Sequence, residues 1–413
     1  MRAPGAVRLN VGTIEREYNM SPVFIRKVTL RHFKSIETCA VELAPLSILV
    51  GANGAGKSNF VDALCFVRDA LRESLDYAFR HRGGIVEVRR RSGGHPTHIG
   101  IRLDFVLGEL AGHYAFEIKA LRNGGYEVRR EQCRFSGDGT SHDFNVESGV
   151  VTHCSVTPHP AAVKDRLYLV NASGLPQFRA VYDALKMMGF YNLNPNLLRD
   201  LQEPDEGMLL EKYGGNLASV IARIERTGDG RLQRVSEYLT RVAPGVHGFK
   251  FKAIGPKHSL EFRQDVEGQA HPWNFWSSNM SDGTLRALGV LMAVFQRDHD
   301  ARVSLVAIEE PEAALHPAAA RVLLDSLIES SAHVQILLTS HSADMLDRDE
   351  VQAGNLLAVD NVKGVTRIGA VDDSAREALR QNLLTAGELL RQGQLAPDPK
   401  LFENPVSQTE LFA

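Results

Sequence analysis

Cysteine is scarce: Cys39, Cys65, Cys133 and Cys154 are the only four in 413 residues, and none are spaced as metal ligands are. So sparse a set excludes a disulfide framework. Cys39 and Cys65 fall in or beside predicted core elements and read as buried free thiols. No uncharged apolar run approaches the roughly 18 residues of a membrane helix. The stretch Met1 to Met20 mixes three arginines with two glutamates around no apolar centre, which excludes a secretory signal. A cytoplasmic protein with no membrane partner is expected. Heptads, internal repeats and low-complexity tracts are lacking, which excludes a long coiled coil or a solenoid. Strong charge of either sign is lacking too: the net charge of −3 gives no global attraction to nucleic acid, so any DNA contact must come from a local patch. With 44% hydrophobic residues the chain can still bury a full core of two or three lobes.

What is present is concentrated in a few places. Gly51-Ala52-Asn53-Gly54-Ala55-Gly56-Lys57-Ser58 spells G-x-x-x-x-G-K-S. Before it, Ser47 to Val50 reads as a buried strand; after it, Phe60, Leu64, Val67 and Leu71 recur at helical spacing. Strand, glycine turn and helix form the setting in which this octet binds phosphate. Gly51, Asn53, Gly54 and Gly56 would bring backbone N–H groups onto phosphate oxygens, helped by the positive end of the following helix. Lys57 would reach the β- and γ-phosphates of ATP, and the Ser58 hydroxyl would hold Mg²⁺.

The remaining chain divides by pattern. Residues 1–22 read as a disordered extension. The stretch 23–75 opens with strands and carries the phosphate loop. Residues 76–175 form a β-rich lobe, with period-two runs such as Ile99, Ile101, Leu103 and Phe105. Its arginine-rich start, Arg80 to Arg91, reads as a loop or hairpin. Residues 176–274 are helical with two returning strands, and 275–370 alternate helix and strand. A C-terminal helix, Ser374 to Gln392, and a tail complete 371–413. Alternating strands and helices indicate a mainly parallel sheet covered by helices, an α/β class. The nucleotide core is therefore split between 23–75 and 275–370.

The second half supplies carboxylates. Val303 to Ile308 is an apolar strand ending in Glu309-Glu310, a Walker B pattern with Glu where Asp is more usual. Glu309 would hold Mg²⁺ through water, and Glu310 would orient or deprotonate the attacking water. The next strand ends in Thr339-Ser340-His341, where a neutral His341 could donate a hydrogen bond to the γ-phosphate. Asn279 to Thr284 precedes an amphipathic helix. Ser281 and Gly283 can serve there as an N-cap, or as an anion-facing turn.

As a set, these residues resemble the ATP-binding-cassette type of ATPase head, in the branch of RecF, SMC proteins and the overcoming-lysogenization-defect (OLD) ATPases. Leu30-Arg31-His32-Phe33-Lys34-Ser35-Ile36 is similar to the RecF/SMC start. Glu309-Glu310-Pro311-Glu312 with Leu315-His316-Pro317, and Thr339-Ser340-His341-Ser342, resemble RecF-like ATPases. The resemblance implies a P-loop ATPase that converts ATP and water to ADP and phosphate. It implies that Met280-Ser281-Asp282-Gly283 is a degenerate signature motif capping ATP on a second copy, hence an ATP-dependent homodimer. Ala313 to His316 would take the D-loop place, and Gln132 and Gln177 both stand as candidates for the Q-loop. It further implies action on DNA in double-strand break repair or genome maintenance. An alternative is regulation of a separately encoded nuclease or toxin in an antiphage module. Arg68, Arg72, Arg80, Arg82, Arg89, Arg90 and Arg91 could form a stripe along DNA, or an ordinary solvated surface.

Overall fold

The computed structural model describes residues 24–91, 98–121, 124–137, 139–296, 303–348, 350–403 and 409–413. The expected N-terminal extension lies outside them. The first strands are β1 (Ile25–Phe33), β2 (Ile36–Glu42) and β3 (Leu46–Val50), followed by β4 (His98–Leu107), β5 (Leu110–Ala120), β6 (Tyr126–Gly137), β7 (Thr140–Glu147) and β8 (Val150–Cys154). Then come β9 (Gly189–Tyr191), β10 (Val246–Ile254), β11 (Lys257–Gln264), β12 (Trp273–Trp276), β13 (Leu305–Glu309), β14 (Gln335–Ser340), β15 (Leu356–Val362) and β16 (Val365–Ala370). Thirteen of them join one mixed sheet in the order β8-β7-β6-β5-β4-β1-β2-β16-β15-β3-β14-β13-β9, and β10-β11-β12 form a small sheet of their own. The class is α/β.

Parallel and antiparallel pairing divide this sheet in two. Strands β9, β13, β14, β3 and β15 run parallel. From β2 outward through β1 and β4 to β8 every pair is antiparallel, so the meander continues the first sheet rather than forming another. The parallel strands are mainly apolar between their ends because both faces are covered. On one face Leu49, Leu305, Ala307, Leu337 and Leu357 pack with the helix Lys57–Arg72. On the other, Ile48, Val306, Ile308, Ile336 and Leu338 pack with the helices Asp282–Phe295 and Pro317–Ser330. Alternate residues of one strand thus feed two cores, as a period of two requires.

The two halves meet at β2 and β16, which share a single registered pair, Ile36 with Thr366. Beyond it the strands diverge around an open groove of about 1670 Å³. The C-terminal region ties the halves a second time. Residues 396–398 pair with the end of β16 through Asp398 N–H to Ala370 O and Asp372 N–H to Ala396 O. Further on, Leu411 and Phe412 are buried against Ala115 of β5, with the Phe412 ring beneath the Arg130 guanidinium. The expected tail is therefore partly docked. The single helix expected over Ser374 to Gln392 is two, Asp373–Arg380 and Ala386–Arg391. Asn382 adopts φ +52°, which ends the first, and Thr385 with Glu388 forms a capping box that starts the second.

The arginine-rich stretch departs from expectation too. It holds two short helices, Leu75–Arg80 and Ile85–Val88, joined through Gly83 and Gly84 at positive φ. Arg82 is turned inward against Asp62 and Asp69, Arg68 pairs with Asp69 over the Phe190 ring, and Arg90 reaches the Ser35 carbonyl and Glu37. Arg80 and Arg91 remain exposed, each paired with a carboxylate four residues earlier, Asp76 and Glu87. These side chains do not form one continuous stripe.

Within the meander, Glu131 of β6 is fully buried and accepts hydrogen bonds from Tyr114 Oη and from the N–H groups of Tyr168 and Leu169, the start of the helix Tyr168–Ala172. Burial outweighs these donors and raises its carboxyl to about 7 from an ordinary 4.5. The folded protein then holds a proton that the unfolded chain releases, so stability falls as pH rises between those two values. Melting temperature measured from pH 5 to pH 8 should decline over that interval in the wild type, and the Glu131→Gln variant should lose most of the decline.

Candidate nucleotide site

The sheet register decides which side chains share an edge. Glu309 of β13 stands opposite Thr339 of β14, Thr339 opposite Leu49 of β3, and Ser340 opposite Val50. The three chain segments that follow, from Glu310, from His341 and from Gly51, therefore leave the sheet side by side at its carboxyl edge. Crevices at such an edge are where parallel α/β sheets bind ligands.

The phosphate loop bridges β3 to its helix. Gly54 and Gly56 hold φ of +76° and +110°, a region costly for any side chain. Gly51 lies so close to Val359 of β15 that a Cβ would come 2.1 Å from its carbonyl oxygen. The helix Lys57–Arg72 begins with no side-chain cap and no acidic residue in its first turn, so its leading N–H groups are left for another acceptor. Asn53, Gly54 and Ser58 are exposed, whereas Lys57 is buried. The Lys57 ammonium donates to two carbonyls of its own loop, Gly51 O at 2.7 Å and Ala52 O at 3.1 Å. Desolvation lowers its pKa, and Glu310 and Glu312 oppose that shift from across the edge. A buried cation with two of its three donors on loop carbonyls and one left over, in a glycine cradle, fits a polyphosphate.

Glu310 takes φ +46°, a left-handed turn that swings the chain out of line with β13. Its N–H is held by the Thr339 carbonyl at 3.0 Å and the Thr339 hydroxyl at 3.2 Å. Its carboxylate lies 3.3 Å from His341 Nδ1, both groups about half exposed and so open to a ligand. Glu309, half-buried, ends the strand. Carboxylate, hydroxyl and phosphate oxygens suit a hard cation such as Mg²⁺, and Glu309 and Ser58 are the oxygen donors that would hold it.

Two further residues shape this edge, and a third follows the neighbouring strand. Arg286 is buried and donates to Leu193 O, Glu309 O and Glu310 O, tying the helix Asp282–Phe295 to the tips of β9 and β13. Its burial lowers its pKa against the pull of Glu310, Glu312 and Glu309. In sequence its signal is an arginine set among the apolar residues of an amphipathic helix. Glu312 is buried, accepts from the Ser340 hydroxyl at 2.6 Å and has its pKa raised by desolvation. It links the turn after β13 to the tip of β14. Asn192 follows β9, the outermost parallel strand, and is exposed. Gln132 lies in antiparallel β6, bonded to His113 and Asn145, and Gln177 opens the helix Pro176–Lys186. Neither follows a parallel strand.

Ser281 and Gly283 lie at the start of the helix that carries Arg286. Ser281 caps its helix, accepting from Thr284 N–H at 3.1 Å, and Arg199 grips the Met280 carbonyl and Asp282. Gly283 packs on the turn 313–315, where a Cβ would sit 2.6 Å from Ala314 O. Among the described residues neither forms a hydrogen bond to the phosphate loop.

Strand order, glycine cradle and paired carboxylates define an ATP-binding-cassette-type, RecF/SMC/OLD-like ATPase head. The chain belongs to the family described as "AAA domain, putative AbiEii toxin, Type IV TA system", which matches residues 46–129 and 174–347. The Old nuclease of Escherichia phage P2 is 22% identical over 363 residues; the match covers 78% of this chain and 57% of that protein, so the chain spans little more than half its length. Among solved structures, the Smc head bound to the C-winged helix domain of ScpA superposes with TM-score 0.55 at 14% identity, over 86% of this chain and 99% of that one. A Smc head with an extended coiled coil, derived from Pyrococcus furiosus and bound to the C-terminal domain of ScpA, gives 0.53 at 12%, over 87% and 99%. These two establish likeness of fold. No helix among the described residues is long and apolar enough to cross a membrane.

Removing the Lys57 ammonium tests the site directly. Lys57→Ala should abolish binding of a fluorescent ATP analogue in fluorescence titration, while circular dichroism shows the fold retained.

Proposed function

We propose that the chain is an ATP-hydrolysing head that dimerises around ATP and acts on DNA in double-strand break repair or genome maintenance, in the cytoplasm. The observation that carries the ATPase reading is the register aligning Glu309, Thr339 and Leu49, because it puts Lys57, Glu310 and His341 on one edge. Glu310, held at its amide by Thr339, would take the proton of the attacking water. His341, beside it, would donate to the γ-phosphate and so distinguish ATP from ADP. Bound Mg²⁺ would neutralise the phosphate charge, with Ser58 and Glu309 as its protein donors. Ser281 and Gly283, which among the described residues form no hydrogen bond to their own phosphate loop, would cap the nucleotide of a second copy. DNA as the substrate is supported by the likeness to a nuclease.

A second reading has its own support. The family description includes a toxin and a toxin–antitoxin system, which favours a regulatory head controlling a separately encoded nuclease or toxin. One experiment addresses both. Glu310→Gln should slow hydrolysis by at least about a hundredfold and run as a dimer on size exclusion with ATP and as a monomer with ADP. Duplex DNA co-eluting with that dimer supports the first reading; a nuclease co-purifying from the native host supports the second. Hydrolysis at the wild-type rate would refute the role given to Glu310.

A further inference from the structure

The phosphate loop does not rest on its own strand alone. The β15–β16 hairpin forms its floor: Gly51 abuts Val359 of β15, and Gly56 abuts Thr366 of β16, where a Cβ would come 2.1 Å from Thr366 Oγ1. Thr366 is also the residue at which β16 meets β2, the single registered pair between the two halves of the sheet. It is 1% exposed.

Its hydroxyl lies inside a hydrogen-bond chain whose direction is set by one end. Thr366 Oγ1 is 2.8 Å from Ala55 O, and a carbonyl can only accept, so the threonine proton points into the phosphate loop. Ser35 Oγ, 2.7 Å from Thr366 Oγ1, must then be the donor of that pair. Asn59 Nδ2 in turn donates to Ser35 Oγ at 2.6 Å. The chain leaves the first turn of the helix Lys57–Arg72 at Asn59, passes through the β1–β2 turn and β16, and returns to the loop at Ala55. The Thr366 N–H to Ser35 O bond, 3.0 Å, holds the two hydroxyls in register.

We propose that Thr366, through Ser35, is a positioning residue for nucleotide binding. It fixes the loop between Ala55 and Asn59 from outside the loop, and it does so at the seam between the sheet halves. The inference rests on the ATP-binding reading and adds to it a determinant more than 300 residues away in sequence. Removing the hydroxyl leaves a buried carbonyl without its donor, a defect that the loop relieves by moving. Nucleotide affinity, rather than stability alone, should register the change.

The test is titration of the full chain with a fluorescent ATP analogue and Mg²⁺, with the melting temperature of each variant measured without nucleotide. Thr366→Val, which keeps the shape of the side chain, should weaken binding about tenfold, and Thr366→Ser, which restores the hydroxyl, should bind within about twofold of wild type. A residue that only stabilised the fold would lower the melting temperature and leave the affinity of the folded protein unchanged. Wild-type affinity in Thr366→Val, or a Thr366→Ser variant as weak as valine, overturns the proposal. Should Thr366→Val fail to fold, Ser35→Ala carries the test, with weakening of about threefold expected and wild-type affinity contradicting it. If the wild-type chain itself bound no analogue, the ATP-binding reading would fall first, and this inference with it.

Discussion

Parallel pairing of β3, β14 and β13 in one register is the constraint on which the rest depends. In a parallel sheet every strand leaves by the same edge, so residues far apart in sequence become neighbours once their strands pair. Gly51, Glu310 and His341 each follow the last residue of such a strand. A shift by one residue would exchange the two faces of β13 and bury polar tips in the cores fed by Val306 and Ile308. The apolar runs that fill both cores therefore also fix where the chemistry stands.

Around that edge the charges are coupled rather than independently solvated. Lys57, Arg286 and Glu312 are all buried, and burial pushes each toward its neutral form while the opposite charges nearby resist. Such a group of cations and carboxylates is poised to respond when a polyphosphate enters, because a new anion changes every member at once. Arg286 connects this group to the helix Asp282–Phe295, and Glu312 connects it to the strand that ends beside His341.

The phosphate loop, the Glu309-Glu310 strand and the Thr339-Ser340-His341 tip were legible in the sequence because each combines an apolar run with a polar stop. The continuity of the antiparallel meander with the parallel strands was not, since pairing between β1 and β4 depends on contacts across the arginine-rich insertion. That insertion itself misled: a run dense in arginine reads as surface, yet Asp62 and Asp69, both on the helix Lys57–Arg72, draw Arg82 and Arg68 inward. The break in the C-terminal helix rests on Asn382 taking a left-handed conformation, for which the sequence offers only a weak preference. Thr366 had no local signal at all; its place under the loop follows from a hairpin packed there by the rest of the chain.

Hydrogen–deuterium exchange with and without a non-hydrolysable ATP analogue and Mg²⁺ tests the shared edge most directly. Peptides covering 51–59, 309–316 and 340–342 should gain protection together and saturate at one analogue concentration. Protection confined to the first of these segments, or reached at different concentrations in each, would contradict a single site built from all three strand tips.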